Sequence, residues 1–196
     1  MSDSPELDPI IQRVDAAFDA TPRAEFLPEK VRERAAEDRP LPIGRNQTNS
    51  QPSTVHDMLY LLDVPEGASV LDVGAGSGWT TALLAALTGP EGSVLGLEIE
   101  PELVQFGQAN LAKFDRPWAS IAQAVKGKLG HAGKGPFDRI LVSAAARRMP
   151  PELFAQLRVG GVLVMPVAGQ MWQVRKGDDG KPQIQRYGEY LFVPLR

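Results

Sequence analysis

Three glycines in five residues, set between a short apolar run and a helix-forming run, constrain this chain more than any other feature. Residues 69–73 (Ser-Val-Leu-Asp-Val) predict a strand, residues 74–78 (Gly-Ala-Gly-Ser-Gly) follow at once, and residues 80–87 predict a helix. Glycine permits a tight turn and lets backbone amides approach a ligand closely. The G-x-G-x-G spacing differs from the G-x-G-x-x-G of dinucleotide-binding folds. We therefore expect a ligand-binding loop that differs from the dinucleotide-binding one. A plain turn that binds no ligand is the alternative.

The chain beyond this loop alternates strands with helices. Short apolar runs predict four more strands, at residues 93–98, 119–124, 137–142 and 161–167. Helices between them indicate a mostly parallel sheet covered on both faces, which is an α/β architecture. Residues 171–175 and 183–193, separated by a polar turn, predict an antiparallel hairpin at the edge of the sheet.

The first third of the chain predicts helices and a loop. Helices are expected over residues 5–19, 28–36 and 52–62. The prolines and glycine of residues 37–50 predict a loop without regular structure. We expect one domain over residues 1–196, with helices and this loop in residues 1–66 and the sheet in residues 67–196. The apolar stripe of the first helix comprises Leu7, Ile10, Ile11, Val14 and Phe18.

Composition excludes several kinds of chemistry. The 196 residues contain no cysteine and two histidines, His56 and His131, which excludes disulfides, thiolate zinc sites and cysteine nucleophiles, and we predict no metal site. The net charge of −3 offers no basic field to nucleic acid. No apolar run approaches the length of a membrane span, and the polar start lacks a signal pattern. We expect a cytoplasmic protein with no membrane partner.

A carboxylate ends the second strand of the predicted sheet. Glu98 lies 22 positions after Gly76, and ligands of parallel sheets bind at the carboxyl ends of strands. A carboxylate there can accept both hydroxyls of a ribose, so Glu98 and the glycine loop predict an adenosine-containing ligand. A surface glutamate before a helix is the alternative. Asp72, beside the loop, either faces an ammonium group or caps the turn.

Several segments resemble one enzyme family. Val-Leu-Asp-Val-Gly-Ala-Gly-Ser-Gly-Trp at residues 70–79 resembles the first motif of class I S-adenosylmethionine-dependent methyltransferases. Leu-Pro-Ile-Gly-Arg-Asn-Gln-Thr-Asn-Ser-Gln-Pro at residues 41–52 resembles, more specifically, the substrate loop of protein-L-isoaspartate O-methyltransferases. The resemblance spans about residues 20–196. Further segments that match in order and spacing are residues 22–26, 136–146, 156–167 and 192–195.

The resemblance implies a Rossmann-like class I methyltransferase sandwich and a repair reaction. The family transfers the methyl group of S-adenosylmethionine to the α-carboxylate of an isoaspartyl residue in damaged proteins. The ester then closes to a succinimide, which can reopen as aspartate. Ser50 and Thr48 fall on the family's active-site serine and the neighbouring threonine. The expected cofactor-binding residues are Asp72, Gly74, Ala75, Gly76, Ser77, Gly78, Glu98, Ile99, Lys126, Gly127 and Ser143. The expected substrate-binding residues are Ile43, Gln47, Ala144, Ala145 and Ala146.

This reaction makes few demands on acid–base side chains. A free carboxylate has a pKa near 4 and is ionised at neutral pH, so the nucleophile needs no base. Small donors such as the hydroxyls of Thr48 and Ser50 suffice to orient it. A role for Ser50 in capping the helix that begins near Pro52 is a compatible alternative.

One segment departs from the family's pattern. The family carries Gly-Asp-Gly after its third strand, where the aspartate accepts a hydrogen bond from the adenine amine. The matching residues here are Val125, Lys126 and Gly127. Lysine offers only donors, and a lost charge-assisted hydrogen bond costs about 1.5–3 kcal/mol. Arg45 and Asn46 also replace small residues. We expect a monomer that acts on isoaspartyl peptides or proteins. Two alternative functions stay open: a methyltransferase for another peptide, and a non-catalytic binding module.

Overall fold

The computed structural model describes residues 8–196 and shows a seven-stranded sheet with helices on both faces. Leu7 of the predicted stripe lies outside these residues. The helices are α1 (Pro9–Asp19), α2 (Glu29–Arg32), α3 (Pro52–Leu62), α4 (Trp79–Thr88), α5 (Pro101–Leu111) and α6 (Pro151–Ala155). The sheet comprises β3 (Ser69–Val73), β4 (Ser93–Glu98), β5 (Ala119–Gln123), β6 (Phe137–Val142), β7 (Leu157–Val167), β8 (Gln170–Lys176) and β9 (Pro182–Glu189), and a separate ribbon comprises β1 (Leu41–Gly44) and β2 (Gln47–Asn49).

The order of the strands creates a crevice at one edge of the sheet. The order is β5-β4-β3-β6-β7-β8-β9, in which β3 to β7 pair in parallel and β8 and β9 are antiparallel. The chain runs outward from β3 to β5 and then returns to the other side of β3 as β6. Helical connections therefore diverge above β3 and β6, which makes this the topological switch point where ligands of such sheets bind.

The hydrophobic core lies on both faces of the sheet. Val70 and Leu71 point to opposite faces, because side chains alternate along a strand. Val70 belongs to a cluster that runs from Val14 of α1 to Met171 of β8, and Leu71 belongs to the cluster on the other face. Every residue of β6 is buried, as expected for a central parallel strand.

The sequence predicted most of these elements. The strands at residues 69–73, 93–98 and 137–142 are confirmed with those bounds, as is the helix at residues 52–62. The antiparallel C-terminal hairpin is confirmed as β8 and β9 at the sheet edge. The predicted helix over residues 28–36 is shorter, since α2 ends at Arg32 and turns follow it.

The expectation of an irregular loop over residues 37–50 is wrong. Strands β1 and β2 form an antiparallel ribbon there, and Pro42 pairs with Thr48. Proline is tolerated because a two-stranded ribbon has free edges that need no further amide donors. Arg45 and Asn46 have φ values of 53° and 55°. Positive φ at both central residues is typical of the two-residue turns that match the twist of a hairpin.

Candidate functional site

A cleft opens at the switch point. Its walls come from the glycine loop, the ends of β4 and β6, the β1–β2 ribbon, residues 124–125 and 128–130, and the C-terminal segment. The lining residues expected from the sequence are Gln47, Thr48, Ser50, Gly74, Ala75, Gly76, Ser77, Glu98, Ile99, Ser143 and Ala144. The tertiary structure therefore brings together residues from positions 47 to 144 that the sequence keeps far apart.

The glycine loop is held by the neighbouring strand. The amides of Gly74 and Ala75 donate to the carbonyl oxygen of Leu97, at 2.8 and 3.0 Å. Gly76 has a φ of 53°, and a Cβ at this position would lie 3.2 Å from Cδ1 of Ile43. Glycine at position 76 thus permits the ribbon to cover the loop closely, and Ile43 is a buried packing contact of the loop.

Gly78 has a packing role outside the cleft. Its φ is 89°, and a Cβ there would lie 3.0 Å from the carbonyl oxygen of Gly107 in α5. The residue therefore lets α4 begin in close contact with α5. This contact explains a third glycine in the loop without assigning it to a ligand.

Glu98 is a buried carboxylate fixed by backbone donors. It ends β4 with 5% of its surface exposed. Oε2 accepts a hydrogen bond from the amide of Gly76 at 2.8 Å, and Oε1 accepts from the amides of Ile99 and Glu100 at 2.7 and 2.9 Å. Oε2 retains the capacity to accept a further hydrogen bond from a ligand hydroxyl.

Two unengaged hydroxyls line the side of the cleft formed by the ribbon. Within residues 8–196, no hydrogen bond occupies the hydroxyls of Thr48 or Ser50. The N-cap of α3 is Gln51, so Ser50 does not cap this helix. Between them, Asn49 donates from Nδ2 to Oγ of Ser77 at 3.1 Å and ties the ribbon to the glycine loop.

The C-terminal segment closes another side of the cleft. The amide of Ala145 donates to the carbonyl oxygen of Val193, and the amide of Leu195 donates to that of Ala145, at 2.8 and 2.9 Å. Arg196 forms an ion pair with Glu100 at 2.7 Å. The segment thus joins the end of β6 to the start of α5. Ala145 and Ala146 face the groove beside the cleft rather than the cleft itself.

Asp72 lies beneath the loop and outside the cleft lining. It is fully buried, and Oδ2 accepts hydrogen bonds from the hydroxyls of Thr80 and Thr81 at 2.8 and 2.7 Å. Its environment favours the capping alternative over a direct ligand contact. Burial raises the pKa of Asp72 to about 6, although the two hydroxyl donors oppose the shift.

Lys126 also lies outside the cleft lining. Residues 125–128 form a turn in which the amide of Lys128 donates to the carbonyl oxygen of Val125 at 2.9 Å. Gly127 has a φ of 78°, as the third residue of a type II turn requires. The turn exposes Lys126 and Gly127 to solvent, while Val125, Lys128 and Leu129 line the cleft. No acidic side chain replaces the family's aspartate among these lining residues.

Sequence reasoning missed several residues that shape the site. Gln156 donates to the carbonyl oxygen of Leu129 at 2.9 Å and accepts from the amide of His131 at 2.7 Å, so it holds the segment that ends the cleft. Arg23 and Asn49 hold the ribbon. The available signal in the sequence was an arginine or an amide side chain within a segment that resembles the family. The hydrogen-bond partners of these side chains are distant in sequence, so the signal did not indicate what they hold.

No three histidine, aspartate or glutamate side chains of residues 8–196 converge in a way that could hold a metal ion. None of the described helices is both long enough and apolar enough to cross a membrane.

Comparison with known proteins gives one consistent family. The family model described as Protein-L-isoaspartate(D-aspartate) O-methyltransferase matches residues 10–196. A Protein-L-isoaspartate O-methyltransferase of Methanopyrus kandleri is 43% identical over 187 residues, which cover 93% of this chain and 83% of the relative. One from Methanothrix thermoacetophila is 41% identical and covers 95% of this chain and 89% of the relative.

Solved structures share the fold. A protein-L-isoaspartate O-methyltransferase superposes with a TM-score of 0.86 at 22% identity, over 95% of this chain and 62% of the other, so this chain spans less than two thirds of that protein. A Plasmodium falciparum protein described as such an enzyme in complex with S-adenosyl-L-homocysteine superposes with a TM-score of 0.78 at 23% identity, over 97% and 92%.

Proposed function

Because this chain belongs to the protein-L-isoaspartate (D-aspartate) O-methyltransferase family, we propose that it methylates the α-carboxylate of isoaspartyl residues in damaged proteins, with S-adenosylmethionine as the methyl donor. The observation that carries the proposal is the cleft, in which the glycine loop and Glu98 meet the free hydroxyls of Thr48 and Ser50. The methyl ester is the activated form from which the damaged residue can return to aspartate.

The residues of the cleft fit the cofactor. Glu98 supplies a fixed acceptor for a ribose hydroxyl, and Leu97, Ile99, Val125 and Leu129 supply apolar surface for a flat base. When bound, S-adenosylmethionine supplies a methyl group on a positively charged sulfur, which is already an activated leaving group.

The chain has little acid–base work to do. The substrate carboxylate is ionised at neutral pH, and no histidine lies among the residues that line the cleft. Glu98, the acidic side chain of that lining, is engaged by three backbone amides. We assign it to binding and no residue to proton abstraction.

The main task of the chain is therefore to position the carboxylate. Thr48 and Ser50 can each donate one hydroxyl hydrogen bond to it, and a positioned pair of reactants can gain about 7–11 kcal/mol relative to the free reactants. Ser143 and Ala144 line the cleft at the end of β6, where small side chains leave space beside the glycine loop. The ribbon and the C-terminal segment line two sides of the cleft.

Methyl transfer to matched peptides tests the proposal. The protein is incubated with labelled S-adenosylmethionine and two peptides that differ only in carrying isoaspartate or aspartate. We expect base-labile methyl transfer to the isoaspartyl peptide alone. Ser50→Ala should lower kcat/KM by about 10–100-fold, because a misplaced carboxylate loses part of the benefit of orientation. Ser53→Ala, three residues further on and outside the cleft lining, is the matched control and should keep wild-type activity.

Two other outcomes would contradict the proposal. Transfer to the aspartyl peptide at an equal rate would indicate a carboxyl methyltransferase for another substrate. Cofactor binding by calorimetry without transfer to either peptide would indicate a binding module. We also propose that the protein acts in the cytoplasm and as a monomer. Light scattering that gives the mass of one chain checks the monomeric state.

A further inference from the structure

Arg23 is a buried arginine whose side chain donates hydrogen bonds to the end of the ribbon and to the segment that precedes it. Its exposed fraction is 6%. Nε donates to Oδ1 of Asn49 at 2.7 Å, and the two terminal nitrogens donate to five backbone carbonyl oxygens at 2.8–3.2 Å. These carbonyls belong to Ala35, Glu37, Arg39, Asn49 and Ser50.

The carbonyls that Arg23 holds come from both ends of the segment that carries the ribbon. Residues 35–39 lie before β1, and Asn49 and Ser50 lie at the end of β2. The ribbon has two short strands that join no larger sheet, and the amide of Ser53 provides a further tie by donating to Oδ1 of Asp38 at 2.9 Å. One guanidinium group therefore bridges the start of this segment and Ser50.

The chemistry of the contact is specific to arginine. Five N–H donors in a planar fork serve six acceptor oxygens, with one terminal nitrogen shared among three of them, whereas lysine has three donors at a single point. Burial lowers the pKa of Arg23 to about 10, with the nearby acids Asp38 and Glu37 opposing the shift, so the group stays charged at neutral pH. A buried charge without these acceptors would be strongly destabilising.

The same network reaches the glycine loop. Asn49, which accepts from Arg23, donates to Oγ of Ser77 at 3.1 Å. The guanidinium carbon of Arg23 also lies 5.5 Å from the ring centroid of Trp79, the first residue of α4. Arg23 thus connects the hydroxyl-bearing wall of the cleft to the wall that would hold the cofactor.

We infer that Arg23 is a positioning residue, which sets Ser50 and Thr48 at the working distance from the cofactor loop through its bonds to Asn49 and Ser50. The inference rests on the proposed function for its catalytic consequence. The glycine loop itself has separate supports, since Glu98 binds Gly76 and Asn110 donates to the carbonyl oxygen of Ser77 at 3.0 Å. Loss of Arg23 should therefore disturb the substrate wall more than cofactor binding.

Arg139 provides a matched control. It is also a buried arginine, with 7% of its surface exposed, and it donates to the carbonyl oxygens of Leu62, Asp63 and Asp138, away from the cleft. Arg23→Lys and Arg139→Lys should both lower the melting temperature. Arg23→Lys alone should lower kcat for the isoaspartyl peptide by about 10–100-fold. The cofactor Kd should change by less than about threefold in both variants, which is within about 0.7 kcal/mol.

A second variant addresses the case in which Arg23→Lys folds poorly. A second measurement addresses the case in which the protein shows no methyl transfer. Asn49→Ala keeps all five carbonyl contacts of Arg23 and removes the link to Ser77, so its kcat should also fall while the protein stays folded. Hydrogen exchange of residues 41–51 should be faster in Arg23→Lys than in Arg139→Lys, with residues 74–78 unchanged.

Two results would overturn the inference: equal losses of kcat in Arg23→Lys and Arg139→Lys, or equal exchange of residues 41–51 in the two variants. If the wild type methylates neither peptide, the proposed function fails, and the exchange pattern still decides whether Arg23 positions the ribbon.

Discussion

At the scale of single residues, two carboxylates near the glycine loop have opposite surroundings. Glu98 is fixed by three backbone amides and keeps an acceptor site toward the cleft. Asp72 accepts two hydroxyls on Oδ2, while its buried Oδ1 has no hydrogen-bond partner within the described residues. Glu98 is suited to binding a ligand. Ionisation of Asp72 is unfavourable, because its carboxylate is buried beneath the loop with one oxygen unpaired.

Replacing Asp72 should change how stability depends on pH. The pKa of Asp72 is raised from 3.8 to about 6, so its contribution to stability is greatest below pH 3.8 and is lost as the pH rises through 6. Between pH 4 and 7 the wild type should lose about 2 kcal/mol relative to Asp72→Asn. Urea unfolding of both proteins at the two pH values measures this difference. A constant difference would show that folding does not raise the pKa of Asp72.

Lys126 supports a prediction that opposes the family's pattern. Its side chain lies at the exposed corner of the turn at residues 125–128, so its identity should have little influence on the cofactor. Lys126→Asp should alter the cofactor Kd by less than about twofold, which calorimetry resolves and which corresponds to about 0.4 kcal/mol. Tighter binding by tenfold or more would mean that the turn rearranges to bring residue 126 into the cleft.

At the scale of elements, the start of α5 anchors both covers of the cleft. Glu100, the N-cap residue, pairs with Arg196 of the C-terminal segment, and Glu102 in the first turn pairs with Arg45 at the tip of the ribbon. The acidic residues also suit the N-terminal end of a helix dipole. Arg45, which departs from the family's small residue, thus gains a partner that the sequence alone did not indicate.

Breaking the pair at the ribbon tip should loosen this cover. Both side chains of the Arg45–Glu102 pair are about half exposed, and such pairs contribute about 0.2–1 kcal/mol. Glu102→Gln should therefore speed cofactor dissociation by about 1.5–5-fold at low salt, as measured by stopped-flow fluorescence, with the difference fading at high salt. Glu25→Gln, which breaks the exposed Lys113–Glu25 pair away from the ribbon, is the control. Equal rates in both variants would contradict this role.

At the scale of the whole molecule, the N-terminal helices and the sheet share one core. A single cluster joins Val14 and Phe26 to Val70 and Leu141 of the sheet. Trp79 donates from Nε1 to the carbonyl oxygen of Thr21 at 3.0 Å and packs against Phe18. We propose on this basis that residues 1–66 and 67–196 act as one domain, because neither part buries its apolar face alone.

This shared core predicts one unfolding transition. Circular dichroism and tryptophan fluorescence should give coincident curves, and S-adenosylhomocysteine at 100 times its Kd should raise the free energy of unfolding by about 2.7 kcal/mol. An earlier fluorescence change at constant circular dichroism would mean that the N-terminal helices detach from the sheet first.

The sequence by itself predicted the sheet, and it pointed to the glycine loop, Glu98 and Ser50 as residues near a ligand, since apolar runs, glycine spacing and a resembling motif are local patterns. It could not find the ribbon, because β1 and β2 carry a proline and short polar runs that predict a loop. Counting along the chain matched Lys126 to the family's aspartate. The turn at residues 125–128 decides where the side chain lies, and this turn exposes it to solvent.

Only the tertiary structure decided how the walls of the cleft are held together. Arg23 acts on residues 12–27 positions away, Asn49 on Ser77, and Arg45 on Glu102, 57 positions away. Such contacts depend on where the fold brings distant backbone together, and no local pattern records that. The short-range propensities of the chain therefore specify its elements, and the switch point of the sheet specifies the site. Long-range hydrogen bonds and ion pairs then set its geometry.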